Sequence, residues 1–387
     1  MVTGVLRRRR SWIVSFCLFV VGPAVGPLSI LHAEAPVLRT PAGTAPGATL
    51  VFAIGSKTGD PYANLPAGAR QISRFGERPV YSPDGKKIAF IGRSYGDAFE
   101  YDVLTHKIRN LTSHAPNAGY LRVHYLNDGN FVLLGPAEVA TNRAEARRSK
   151  IRLWFLNAAA DRAPLLLGEY VLEGIAVSRK SNKIAWTSAA DNIWIGVGGL
   201  MPAPGTFAHV YTGTVTVTGE DARLSDIQEV FRRETTDCFP EPQDFRDHDR
   251  ELTHSCYRVE SIPSPDLVVT RTGVWGARLD TGELIRYRGD REGEYTEPEG
   301  ISPDGRWELV ECGRTVETGI DLCRLVLTPD SADFKRVTHV LDYGGYKASN
   351  PVVSPDGAWV AFQSGRAHEE PGVGYGIFVM PMPANLR

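Results

Sequence analysis

Three glutamates occupy one place in a repeat. Glu77, Glu173 and Glu297 each lie seven residues ahead of a recurring turn position, at Asp84, Lys180 and Asp304, and Ser349 holds that place ahead of Asp356. Carboxylates at equivalent positions of a closed ring converge on its axis. There they would hold a divalent cation such as calcium, or accept hydrogen bonds from a polar ligand. Arg78, Arg122, Glu299 and Asn350 neighbour them and belong to the same rim, at the mouth of a central channel. Solvated loop residues would look the same in sequence, so this ligand-binding rim is an expectation for the structure to test. No cofactor other than such a cation is suggested.

A second group able to do chemistry is Cys238, His248, His254 and Cys256, in a segment rich in acid. Zinc takes thiolates and neutral imidazoles at tetrahedral positions, and both are here. The spacing matches no familiar finger, and thiols of an exported chain tend to pair with each other. Cys238 with Cys256 is therefore read as a disulfide, leaving His248 and His254 as minor metal candidates. Cys312 and Cys323 flank a hairpin-like stretch and form the other expected disulfide. Gly92-Arg93-Ser94-Tyr95-Gly96 spells a Gly-x-Ser-x-Gly nucleophile elbow. That elbow needs a strand-to-helix turn, and this match falls in a hairpin loop, so no catalytic residue is assigned.

The elements that would position these residues are short strands. Ser82-Pro83-Asp84-Gly85 recurs as Ser302-Pro303-Asp304-Gly305 and Ser354-Pro355-Asp356-Gly357, each between apolar runs. Proline presets φ, aspartate bonds its own backbone, and glycine takes the positive φ that other residues resist. Weaker copies stand at Asp128, Lys180 and Asp266. Anchors spaced by roughly forty to fifty residues fit blades of four antiparallel strands. The double-length gap between Lys180 and Asp266 leaves room for one divergent blade. The fold expected is thus an all-β propeller, seven blades favoured and six the runner-up. Leu50 to Ile54 reads as the strand that closes the last blade.

Arg7 to Arg10 followed by the apolar run Trp12 to Val21 is an export-signal pattern. The expected organisation is a signal peptide over residues 1–35, a linker over 36–47 and the propeller over 48–387. An uncleaved leader would instead anchor the chain to a membrane. With 43 basic and 45 acidic residues, the chain lacks the positive balance of a nucleic-acid binder. The one dense basic cluster outside the leader, Arg143 to Lys150, reads as a solvated loop. The four cysteines beyond Cys17 suit an oxidising compartment, so the chain is read as periplasmic or secreted, and as a monomer.

Ser-Pro-Asp-Gly-x-x-Ile-Ala-Phe, followed by Glu100-Tyr101-Asp102-Val103 and Arg109-Asn110-Leu111-Thr112, resembles the WD40-like (PD40) repeat of TolB-like propellers. The α/β domain that precedes the propeller in TolB is not expected, since only a few tens of residues separate the signal from the first blade. Similar repeats occur in the propellers of prolyl-oligopeptidase-type enzymes and oligogalacturonate lyases, so the resemblance speaks for fold and not for activity. It implies a non-catalytic binding module for a protein, a peptide or an envelope glycan. The alternative is a propeller lyase or hydrolase with an acidic or metal site in the funnel.

Overall fold

The computed structural model describes residues 35–39, 52–141, 146–147, 149–188, 194–195, 201–202, 205–261, 268–291, 293–314, 319–367, 369 and 373–387. The export segment through Glu34, most of the expected linker, Leu50, Val51 and Asp266 lie outside them. Ala35–Arg387 forms one compact unit. No helix among the described residues is long and apolar enough to cross a membrane.

Blade 1 shows the pattern: Glu77–Tyr81, Lys87–Ile91, Ala98–Asp102 and Ile108–Asn110 pair in that order as one antiparallel sheet. Blade 2 is Arg122–Tyr125, Phe131–Pro136, Ile151–Leu156 and the first half of Leu165–Val177. That last strand serves two blades. Tyr170 still pairs with Arg152 in blade 2, whereas Val171 pairs with Ser188 of blade 3. Blade 3 continues with Lys183–Ser188, Phe207–Thr218 and Asp221–Glu234. Blade 4 (Phe239–Arg246, Glu251–Ser261, Val268–Arg278, Leu284–Arg288) and blade 5 (Tyr295–Ile301, Trp307–Gly313, Asp321–Val326, Phe334–Arg336) follow. Blade 6 takes Tyr346–Val353, Trp359–Arg366 and Ile377–Pro381 from the C-terminal end and Arg70–Ser73 from the N-terminal side.

The strand that completes blade 6 beside Ile377–Pro381 is Arg70–Ser73; of Leu50 to Ile54, expected in that place, Leu50 and Val51 lie outside the described residues. Phe52 instead packs on blade 5 with Phe334 and Leu341. Pro36 to Leu38, expected as linker, runs beside blade 3, where Leu38 N–H donates to the Arg232 carbonyl at 2.9 Å.

Among the described residues there are six four-stranded units, each with an apolar cluster against the next. Ile91 and Leu133 meet between blades 1 and 2, Leu153 and Trp186 between 2 and 3, Val210 and Leu252 between 3 and 4. Val274 and Val310 meet between 4 and 5, Leu309 and Phe362 between 5 and 6, Ile88 and Val379 between 6 and 1. Asp266, expected to anchor a blade of its own, falls between Ser261 and Val268, which pair with each other as one hairpin.

The turns follow their sequence logic. Ser82 Oγ donates to Asp84 at 2.7 Å and Lys86 N–H donates to the same oxygen at 3.1 Å, while Gly85 takes φ 70°. Ser302 with Asp304 and Ser354 with Asp356 repeat the arrangement.

Candidate functional site

Four of the inner strands break regular pairing at one level. Register slips between Glu77 and Val80, Pro242 and Asp244, Pro298 and Gly300, and Ser349 and Val352. Each slip contains or borders a proline, tolerated because one edge of an inner strand faces the axis and has no ladder partner. A bulge re-aims a side chain that regular alternation would send between the blades. Arg78 and Asn350 take left-handed backbone there, at φ 53° and 46°. Non-glycine residues hold such conformations at a cost of about 1–3 kcal/mol, which the surrounding contacts must offset.

The bulges build a layer of charge across the axis. Arg78 donates to Glu77 (3.3 Å), Ser94 Oγ (3.0 Å), the Leu121 carbonyl (3.2 Å) and Glu173 (3.0 Å). Ser94 donates to Glu77 at 2.6 Å, and Arg147 pairs with Glu173. A second network centres on Arg122, which donates to Glu241 at 3.3 Å and lies 3.8 Å from Glu299. Tyr257 donates to Glu241 at 2.9 Å and contacts Glu297, to which Tyr295 also donates. Asn350 closes the circuit, its side chain donating to Glu299 (2.9 Å) and its backbone N–H to Glu311 (2.7 Å). A Cβ at Gly174 would collide with Glu241 Oε1, so glycine there makes room for that carboxylate.

All seven residues expected at the channel mouth fall in this layer. They are not an open rim, however. Glu77, Arg78, Arg122, Glu297 and Glu299 are buried and paired; bulges turn those of blades 1 and 5 inward, whereas Arg122 enters from a regularly paired strand. Sequence reasoning missed Glu241, Glu311, Tyr257, Tyr295 and Arg147. The Glu241-Pro242 step, matching Arg78-Pro79, Glu297-Pro298 and Asn350-Pro351, could have exposed the first of them. Arg147 belongs to the basic run expected as a solvated loop; Arg143, Ala144, Glu145 and Arg148 of that run lie outside the described residues. Ser94 of the Gly-x-Ser-x-Gly match does stand in a hairpin loop, where it braces Glu77 and Arg78.

Carboxylates outnumber guanidiniums in the layer, and the excess gathers at Glu297, Glu299 and Glu311, whose ligand atoms lie within 4.8 Å of one another. This is the set that could hold a cation. Burial and then the nearby Glu297 charge push Glu311 up to about 8, and the same two causes raise Glu299 well above the usual carboxylate range. Glu297 is raised by burial and by Glu241. Burial works against the charged form of Arg122, but Glu299, Glu241 and Glu297 outweigh it and hold this guanidinium firmly cationic. Like charges this close cannot all ionise in a low-dielectric layer, so without a cation protons fill the deficit.

The layer floors a cavity of about 450 Å³ to which all six inner strands contribute and which extends to the prolines of the Ser-Pro-Asp-Gly turns. Its walls carry His124, Gln243, Asp244 and Arg179. Burial and then Arg122 bring His124 down to about 3, so the ring is neutral. Burial raises Asp244 to about 6 against the opposing pull of Arg179. The Nε atoms of Arg78 and Arg122 and the Nε2 atoms of His124 and Gln243 are buried without a hydrogen-bond partner among the described residues. Unsatisfied buried polar groups cost about 1–3 kcal/mol each, which the packing around the layer must offset.

The zinc reading does not hold. Cys238 and Cys256 are joined in a disulfide, as are Cys312 and Cys323, with Cα atoms 5.1 and 5.9 Å apart. His248 is an exposed turn residue, and His254 is buried against Phe231. Two disulfides fit an oxidising compartment.

No family model matches the chain, and no curated protein matches it. Among solved structures it is similar in fold to a putative TolB from Agrobacterium tumefaciens, at 14% identity over 73% of this chain and 97% of that one, with a TM-score of 0.43. It is also similar to an oligogalacturonate lyase in complex with manganese, at 14% identity over 91% and 85% of the two chains, with a TM-score of 0.48. A third is a calcium-binding protein, regucalcin, from Agrobacterium tumefaciens, at 12% identity over 82% and 94%, with a TM-score of 0.47.

Proposed function

We propose that this chain is an exported, non-catalytic binding module whose central cavity receives an acceptor-rich group of a peptide, protein or envelope glycan. One observation carries the reading: a cavity of about 450 Å³, walled by all six inner strands, gathers Arg122, His124, Arg179, Gln243 and Asn350 from several blades along its walls. The volume falls within the range of about 300–1,000 Å³ usual for ligand sites. A carboxylate or hydroxyl cluster would satisfy Arg122, Gln243 and His124 together.

The test is capture from a cell-envelope fraction on immobilised protein, run beside the double variant His124→Ala/Gln243→Ala. A species retained by the native chain and released by the variant is the expected result. Equal retention by both would overturn the reading. The lyase or hydrolase alternative draws on the Glu297, Glu299 and Glu311 carboxylates. One equivalent of tightly held metal in purified protein, with cleavage of an acidic oligosaccharide, would favour it instead.

A further inference from the structure

The repeat puts a tryptophan three residues after the turn aspartate in two consecutive blades, Trp307 in blade 5 and Trp359 in blade 6. Their fates differ. Trp307 is buried in the interface of blades 5 and 6, within a cluster that reaches Met382 and Leu386 of the C-terminal segment. Trp359 packs at the edge of the cluster that Ile88, Ala361 and Val379 form in the ring's closing seam, between blades 6 and 1. It is left half-buried. Beside it the seam holds a cleft of about 480 Å³, bounded also by Tyr81, Tyr101 and Val103. The guanidinium of Arg70, from the strand that closes blade 6, lies 5.4 Å from the Trp359 ring.

Tyr81 and Pro355 line both this cleft and the central cavity. The two spaces are therefore adjacent, within reach of one chain-like ligand. We infer that the seam cleft is a second subsite, taking an aromatic or large aliphatic side chain of a peptide whose acceptor group sits in the central cavity. The inference rests on the binding-module reading above and chooses peptide over glycan. A pyranose stacks on aromatic faces but also needs hydrogen-bond partners for its several hydroxyls. This cleft has an aliphatic floor and aromatic walls, and of its own hydroxyls that of Tyr101 is engaged with His106 and that of Ser354 with Asp356, which leaves the Tyr81 hydroxyl and the charged groups of Arg70, Asp84 and Asp356. Such a site suits a ring or branched chain without hydroxyls, with flanking backbone at the charged lip.

The experiment titrates N-acetyltryptophanamide, and separately cellobiose, into the full folded domain while amide and indole N–H resonances are followed. The amide is expected to shift the Trp359 indole and the Gly85 amide saturably. Val103→Trp, which fills the cleft, should weaken that binding at least about tenfold, as expected for loss of a buried aromatic contact. The neighbouring Leu104→Trp, at a residue 86% exposed, should leave it unchanged. Arg70→Ala, at an exposed lip residue, gives a second reading should Val103→Trp lower the melting temperature; it should weaken the amide severalfold. Saturable cellobiose shifts at Trp359, or amide binding indifferent to both variants, would overturn the inference. Because the probe carries no carboxylate, its result is independent of His124→Ala/Gln243→Ala. Failure of the cavity reading and failure of this one are thereby told apart.

Discussion

The two ends of the inner strands are built on opposite rules. At their C-terminal ends the same turn recurs, with Ser82 on Asp84, Ser302 on Asp304 and Ser354 on Asp356. At their N-terminal ends glutamate recurs but its companions change from blade to blade: Glu77 with Arg78, then Arg122, Glu173, Glu241, Glu297 with Glu299, and Asn350. A turn repeated in blades 1, 5 and 6 answers a need those blades share, which is folding. A residue that differs at equivalent positions answers a need of the whole ring.

That contrast predicts unequal costs. Arg122→Met should be the most damaging change, because it leaves Glu241 and Glu299 without their cation inside a buried layer. Removing one partner of a buried charge network typically costs about 3–5 kcal/mol. Urea unfolding at neutral pH measures it. A loss no greater than that of a turn variant would erase the distinction between the two ends.

The layer also sets a pH dependence of definite sign. Glu311 is held near 8 in the folded chain, above its unfolded value, so the folded state binds the extra proton between the two. Stability is therefore fullest at acid pH below the unfolded value, and is lost as pH rises toward about 8. Glu311→Gln should flatten that slope and raise the melting temperature at pH 8.5 more than at pH 5. If the native layer holds calcium, chelator will lower the melting temperature at pH 8.5, and the Gln variant will not respond to it. A native slope that rises with pH would contradict the buried-proton account.

Asp244, raised to about 6, gives a smaller effect, read in binding. An anionic ligand group in the cavity meets a neutral side chain below that value and a carboxylate above it. Affinity for such a ligand should therefore fall severalfold between pH 5 and pH 7.5, and Asp244→Asn should remove the dependence. Isothermal titration with the captured species measures both.

The fold was legible because the turn chemistry is local and repeated, and the site only partly so. Blade 4 escapes detection because its turn, Asp247 to Arg250, reaches positive φ through Asp247, His248 and Asp249 rather than glycine. Aspartate and histidine enter that region more readily than most side chains. Without a Pro-Asp-Gly to count back from, Glu241 has no place in the register, and Asp266 passes for the missing anchor. Glu311 and Tyr257 come from second strands and approach the axis through sheet pairing, which spacing along one strand cannot reveal. Glu77, Glu173 and Glu297 can be found because a fixed distance from a turn is also a fixed level in the ring.

The turns offer the mildest test of the contrast. The Asp84 carboxylate is held low by its bonds from Ser82 and the Lys86 backbone, yet its side chain is more than half exposed, so water replaces much of what is lost when it is removed. Asp84→Ala should cost only about 1 kcal/mol, the usual net value of a hydrogen bond near solvent. Pro83 and Gly85 still bias the chain toward the turn, so blade 1 keeps its register. The central layer lies at the far end of the same strand, and the affinity of a ligand group seated against that layer should stay within about twofold of native, a shift under about 0.5 kcal/mol. Large loss of that affinity with intact stability would mean that the turn also governs binding at the central layer, and the division between the two ends would have to be redrawn along Ser82 and Pro83.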